Sequence, residues 1–282
     1  MPKGVYDRSA ARVRNSGEKF NVKVNYDALS TETDAEIDAR IAERFEILDI
    51  LGEAITVGNA RSLVVSGAPG VGKSHGIEKL LREYDPVGER HTIVKGYTRA
   101  TGVVKLLWQY RHAGNVIVFD DCDSIFQDDI ALNLVKAIAD TTDRRIVSWL
   151  SEGKLIDDST ATIIPRSFEF EGSVVFLTNL DMTAMIEKKH KLSPHLEAIQ
   201  SRSFYLDLSL KSRRDCLIRI RQVVNQGLLA HLPAAAQDDV VKFIEKNYTK
   251  MRELSLRAAI KLGSLRKNNK NWERISSVTM LK

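Results

Sequence analysis

Ser62-Leu-Val-Val-Ser66, followed at once by Gly67-Ala68-Pro69-Gly70-Val71-Gly72-Lys73-Ser74, is the stretch on which the reading of this chain turns. The first five residues are a short β-branched run that ends at a glycine, the pattern of a buried parallel strand. The next eight fit G-x-x-x-x-G-K-[ST] and open a helical stretch over 73–84. Strand, glycine loop and helix in that order predict a phosphate cradle. The glycines let successive backbone N–H groups converge on a β-phosphate, and the helix N-terminus adds its dipole. Lys73 is then placed to reach the β- and γ-phosphates, and the Ser74 hydroxyl to ligate Mg²⁺. The expected ligand is a nucleoside triphosphate with its metal.

Outward from this loop, HTIVK at 91–95, NVIVFD at 115–120 and SVVFLT at 173–178 have the character of the first strand. Helical stretches at 73–84, 102–111 and 130–141 lie between them, so the alternation predicts βαβ units and a parallel sheet. Upstream, Ser30-Thr-Glu-Thr33 and Asp34 offer N-caps to a helix over 33–51 whose apolar face is Ile37, Ile41, Phe45 and Leu48. After Leu208 the strand signals stop. Two helices are expected at 213–229 and 238–262, broken by Gly227 and Pro233. The fold class is thus α/β: a P-loop parallel sheet sandwiched by helices, followed by a small all-helical lid. Expected boundaries are a flexible basic arm at 1–30, the α/β domain at 31–207, the lid at 208–265 and a basic C-terminal tail at 266–282.

The 282 residues carry 42 Lys and Arg against 37 Asp and Glu, a net charge of +5. Its distribution says more than its size. Residues 1–25 hold six basic and two acidic side chains and residues 250–282 nine and two, which leaves the body at −6. Basic ends suit a polyanion such as nucleic acid; a solvated tail has the same composition. No run approaches the ~18 apolar residues of a membrane span, and the N-terminal stretch lacks an apolar signal core. A cytoplasmic protein is expected, with no membrane partner. Cys122 and Cys216 have no spacing that implies a disulfide or zinc module.

The acids that complete a nucleotide site are read from Val116-Ile-Val-Phe-Asp120-Asp121. Asp120 ends a buried strand where an acid that helps to hold Mg²⁺ is needed, and Asp121 is one residue on, placed to polarise water. Asp123 reads as a cap for the helix that follows.

With these residues in order the chain resembles the AAA+ ATPases over about residues 45–265: the GAPGVGKS loop, the VIVFDD strand, the later FLTN strand and the trailing helices. The resemblance implies ATP as the nucleotide and Asn179 as sensor 1, which positions the lytic water. It implies Arg202, in Ala198-Ile-Gln-Ser-Arg-Ser-Phe204, as the finger projected into a neighbouring subunit, with Arg144 and Arg145 as other trans-acting candidates. It makes Arg257, in Leu254-Ser-Leu-Arg-Ala-Ala, the sensor 2 arginine. A surface role for Arg202 and a helix-covering role for Arg257 stay open. Thr178-Asn-Leu-Asp181 only superficially resembles a guanine-reading N-K-x-D, since Leu180 takes the lysine position. One departure matters: the family's strand-end pair is Asp-Glu and this chain has Asp-Asp. The carboxylate is retracted by about one ångström, enough to slow a positioned reaction unless the backbone compensates.

An arginine supplied in trans implies a homo-oligomer, a hexameric ring in this family, and the compact size resembles phage or mobile-element members. Lys95-Gly-Tyr97-Thr-Arg99 is where such proteins place a pore loop: Tyr97 to stack on a base or grip polypeptide, Lys95 and Arg99 to meet phosphates. An ordinary β–α loop is the alternative. Residues 145–170 read as an inserted hairpin with Lys154 near its tip, resembling the pre-sensor-1 hairpin branch that includes helicases and translocases; a surface flap is the alternative. Lys211, Arg213, Arg214, Arg219 and Arg221 make the first lid helix basic, which adds to counterion release on DNA or is a solvated face. The expected function is an ATPase that binds and hydrolyses Mg·ATP in a ring acting on DNA as translocase, helicase or loader. A protein-remodelling ATPase and a nucleotide-gated scaffold are the alternatives.

Overall fold

The computed structural model describes residues 20–28, 31–151 and 153–282. Short β-branched runs with no polar side to turn outward must be covered on both faces, and that is how they fold. β1 (Ser62–Ser66), β3 (Val116–Asp120) and β6 (Ser173–Thr178) are buried along their whole length. With β2 (His91–Lys95) and β7 (Phe204–Asp207) they make one parallel sheet in the order β2-β3-β6-β1-β7. Register aligns the strand ends: Lys95 with Asp120, Asp120 with Leu177, Thr178 with Ser66, and Ser66 with Asp207. The carboxyl ends therefore form a single edge, and it carries the motif residues.

β7 was not foreseen. It is an edge strand with one buried residue, and its Phe204 is 52% exposed, so its composition lacks the apolar run of its neighbours. Pairing with β1 supplies what the sequence pattern does not.

α1 (Asp34–Thr56) starts at a capping box in which the Thr33 hydroxyl accepts from the Glu36 N–H and Glu36 takes the Thr33 N–H. It runs past its expected end at 51 and packs with α2 (Lys73–Tyr84) on one face of the sheet. α3 (Ala100–Gln109), a 3₁₀ turn (Asp123–Gln127), α4 (Asp129–Ala139), α5 (Met182–Glu187) and α6 (Ser193–Gln200) complete the α/β part. Phe119, Phe126 and Phe176 pack ring on ring in the core beneath α3 and α4.

The inserted hairpin is present directly before β6. β4 (Ile146–Ser148) and β5 (Ser167–Glu169) pair antiparallel, Val147 opposite Phe168, with both side chains buried. Its loop is tied by Asp157, whose carboxylate accepts from Gln109, Ser159 and Thr160; the Gln109 bond leads in holding it below the usual carboxylate range.

The helical part has four helices, not two and a tail: α7 (Arg213–Asn225), α8 (Ala234–Asn247), α9 (Leu256–Asn268) and α10 (Trp272–Met280). The stretch expected as one helix over 238–262 breaks between α8 and α9, where Met251 bridges to Leu281 and Ser255 caps α9. Residues 266–282, expected as a basic tail, close this bundle instead. Trp272 is 5% exposed and lies 5.3 Å from the Phe243 ring.

Of the expected arm, residues 1–19, 29 and 30 lie outside the described residues. Residues 20–28 dock: the Val22 N–H donates to the Asn179 carbonyl at 2.6 Å, and the Asp181 N–H to the Phe20 carbonyl at 2.6 Å. Tyr26 lies 4.1 Å beneath the Arg213 guanidinium, so this segment joins the end of β6 to the helical part.

Candidate nucleotide-binding site

Gly67 to Ser74 leave β1 and enter α2 as a loop in which Gly70 (φ 77°) and Gly72 (φ 111°) take left-handed backbone. A side chain at either would be strained, so the two glycines are what allow the loop to wrap around a phosphate. Lys73 closes it from inside. Only 5% exposed, it donates from Nζ to the carbonyls of Gly67 (2.5 Å) and Ala68 (3.2 Å) and to Asn179 Oδ1 (2.8 Å). Burial draws its pKa down to about 8, against the opposing pull of Asp121, Asp120 and Asp123.

The Asn179 amide has one orientation that serves both its neighbours. Its oxygen faces Lys73, and its Nδ2 donates to Asp121 Oδ1 at 2.7 Å. Asp121 itself has φ 55°, a left-handed conformation that Asp and Asn tolerate better than other non-glycine residues. Asp121 is thus carried on a turned backbone, its N–H fixed to the Leu177 carbonyl at 3.0 Å. Lysine, amide and acid form one continuous chain across β1, β6 and β3.

Beside that chain the Ser74 hydroxyl donates to Asp120 Oδ1 at 2.9 Å. A hydroxyl and a carboxylate within one coordination sphere are hard oxygen donors, as Mg²⁺ requires. Among the described residues no cluster of three or more His, Cys, Asp or Glu could cage a metal. The Ser74–Asp120 pair fits an ion held by one or two protein oxygens plus phosphate oxygens. Ser74 and Asp120 would hold it, and the loop with Lys73 would hold the phosphates.

Asp123 does not cap α4; Asp128 does, accepting from the N–H groups of Ile130 and Ala131. Asp123 instead accepts from Thr178 Oγ1 at 2.5 Å, and burial raises its pKa.

The helical part completes the cleft in a way no sequence signal showed. The Leu256 N–H donates to the Gly70 carbonyl at 3.0 Å, and Val223, Leu228, Leu256 and Ile260 add an apolar wall opposite Lys73 and Asn179. Helical spacing marks these four as apolar, but nothing local says which cleft they face. Arg257, one residue into α9, is exposed and lines the same cavity.

Other candidates fall differently. Arg202 lies between α6 and β7, at the amino edge of the sheet, a strand length from the phosphate loop of its own chain. Its Nη1 donates to the Ala198 carbonyl at 2.9 Å, and it lines a cavity with Arg61, Ser62 and Phe204. Arg145 is corrected to a structural role: it is buried and donates to the Ile138 and Gly172 carbonyls. Arg144 pairs with Glu169 on the surface.

The basic face expected on α7 is also corrected. Arg213 and Arg219 are buried, Arg219 donating to the Val71 carbonyl at 3.3 Å with its guanidinium 3.3 Å over Phe45. Burial draws the Arg219 pKa down to about 10, against Asp49. Arg214 and Arg221 are taken by Asp34 and Glu245. Of the expected pore residues, Tyr97 is 73% exposed with Arg99 Nε 3.4 Å from its hydroxyl, and Lys154 is exposed in the β4–β5 loop. Lys95 is drawn away from that group: its ammonium contacts Glu78 at 2.6 Å and Asp120 at 3.6 Å.

The parallel sheet, the loop from β1 to α2 and the helices after β7 define a P-loop α/β fold carrying a helical subdomain. An uncharacterized 36.7 kDa protein from the nrdC-mobD intergenic region of Enterobacteria phage T4 is 31% identical to the chain over 267 residues, spanning 92% of this chain and 81% of that protein. The chain belongs to the family of that phage protein. No family profile matches it. Among solved structures, a RuvB point mutant from Thermotoga maritima aligns with TM-score 0.48 and 12% identity, over 89% of this chain and 73% of that one. Among the described residues no helix is long and apolar enough to cross a membrane.

Proposed function

We propose that the protein is an AAA+ ATPase that binds ATP with Mg²⁺ and hydrolyses it between subunits of a homo-oligomeric ring. The hydrogen-bonded chain Lys73–Asn179–Asp121 beside the Ser74–Asp120 pair carries this reading. The loop amides and the Lys73 ammonium bind and neutralise the phosphates. Asn179, anchored on Lys73, orients Asp121, and an Asp121 oxygen accepts the proton of the attacking water. The metal, when bound by Ser74 and Asp120, supplies charge neutralisation on the phosphate oxygens. Arg202 lies at the opposite edge of the sheet from its own loop, which supports its service to a neighbour, and Arg257 reads the phosphates from α9. The test is phosphate release and nucleotide affinity in wild type and Lys73→Ala: turnover in the wild type with binding abolished in the variant is expected. Unchanged ATP affinity in Lys73→Ala would sink the assignment.

DNA is the proposed substrate, contacted by Tyr97 and Arg99 on one loop and Lys154 on the hairpin, with the basic α7 no longer among its supports. Salt-dependent retention on single-stranded DNA, weakened in Lys154→Ala, is the expected result. One observation favours a polypeptide substrate instead. The hairpin exposes Ile146, Leu150, Ile156 and Ile163 around Lys154. ATPase activity indifferent to DNA and stimulated by unfolded protein selects that reading.

A further inference from the structure

The acid at the end of β3 divides its two oxygens between opposite kinds of partner. Oδ1 of Asp120 takes the Ser74 hydroxyl, and Oδ2 lies 3.6 Å from the Lys95 ammonium. That ammonium is simultaneously 2.6 Å from Oε1 of Glu78, which stands one helical turn after Ser74 on α2. The placement is built in. Parallel pairing sets Lys95 directly beside Asp120, and at Gly96 (φ 95°) the chain turns out of the strand. The lysine side chain is 59% exposed, so two carboxylates, and not burial, hold it there. A lysine ammonium carries its charge throughout the neutral range.

We propose that Lys95 is a positioning residue that suppresses divalent-cation binding at the Ser74–Asp120 pair until nucleotide phosphates are present. A fixed positive charge beside the ligand carboxylate offsets the attraction that Asp120 offers a free dication. Added phosphate charge outweighs that single ammonium, so the same site takes the cation readily once a triphosphate occupies the loop. This coupling makes the cation and the nucleotide enter together, and it leaves Asp120 oriented in the interval. The inference rests on the reading of Ser74 and Asp120 as metal ligands.

The experiment follows Mn²⁺ binding to the full chain by loss of the free-ion electron paramagnetic resonance signal, with and without a non-hydrolysable ATP analogue. Wild type, Lys95→Met, Lys95→Arg and Asp120→Asn are compared. Without nucleotide, Lys95→Met binds Mn²⁺ about three- to tenfold more tightly than wild type, the effect expected of one partly solvated charge a few ångströms from the ion. Lys95→Arg, which keeps the charge, stays near wild type. With the analogue both proteins bind Mn²⁺ far more tightly, because the phosphates add charge and oxygen ligands, and the Lys95→Met difference stays no larger than without it. Unchanged or weakened Mn²⁺ affinity in Lys95→Met, in a protein that still binds Mn²⁺ with the analogue, overturns the inference and leaves the metal site standing. Mn²⁺ binding with the analogue that is insensitive to Asp120→Asn overturns the metal site itself, and the inference with it.

Discussion

Leu256 donates its backbone N–H to the Gly70 carbonyl at 3.0 Å, so the helix that carries Arg257 begins on the phosphate loop itself. A Cβ added at Gly70 would lie 2.9 Å from Ser255 Cβ, on a residue whose φ is 77°. Gly70→Ala therefore strains the loop and pushes α9 away at the same time. A loss of about 1–3 kcal/mol in unfolding free energy is expected, with ATP affinity falling beyond what the stability loss explains. Chemical denaturation and nucleotide titration of the same preparation check both.

The depressed pKa of Lys73 fixes the sign of two pH effects. Below its folded value of about 8 the buried ammonium costs the folded state, and that cost is relieved as pH rises toward the unfolded value of 10.5. Nucleotide binding runs the other way, because phosphates need the charged form. ATP affinity should fall as pH rises through 8, by up to about tenfold per unit, with proton uptake on binding near pH 8–9. Calorimetric titration in two buffers of different ionisation enthalpy reads the uptake directly; no uptake contradicts the burial of the charge.

Asn179 links Lys73 to Asp121 and contacts both through side-chain atoms alone. Asn179→Ala should leave ATP binding within a few-fold and lower turnover by about a hundredfold or more, the cost of losing one orienting group in the site. Equilibrium binding beside single-turnover hydrolysis separates the two effects. Equal losses in both would mean that Asn179 serves binding and not orientation.

Arg202 stands at the amino edge of the sheet while Lys73 stands at the carboxyl edge. Arg202→Ala and Lys73→Ala should each be inactive alone, the first with nucleotide bound. An equal mixture should regain activity, since about a quarter of randomly formed interfaces pair an intact loop with an intact arginine. Activity from Arg202→Ala alone, or none from the mixture, places the trans-acting group elsewhere.

Trp272 decides whether the last residues are a tail or a wall. It is 5% exposed against Phe243, so Trp272→Ala should cost about 3–5 kcal/mol, and a solvated tail would cost almost nothing. Thermal melting of the variant distinguishes these.

What the linear chain determined was whatever rests on neighbours within a few residues: the β1–loop–α2 unit, the apolar runs of β3 and β6, the acid pair 120–121 and the hairpin before β6. Local steric and hydrogen-bonding demands leave those residue types little else to do. Only the tertiary structure decided the rest, and each instance turns on a partner far along the chain. β7 is a strand because β1 offers it an edge, and α10 is a helix that stays because Phe243 and Met251 receive it. The arginines of α7 look like a solvated basic face in sequence, yet Tyr26 and Phe45 cover Arg213 and Arg219 in the interior, and Asp34 and Glu245 pair with Arg214 and Arg221 at the surface. Lys95 belongs by sequence to a loop with Tyr97 and Arg99, but Glu78 and Asp120 hold its ammonium. A charged side chain declares its sign in the sequence; which opposite charge satisfies it depends on register and packing, which no local pattern encodes.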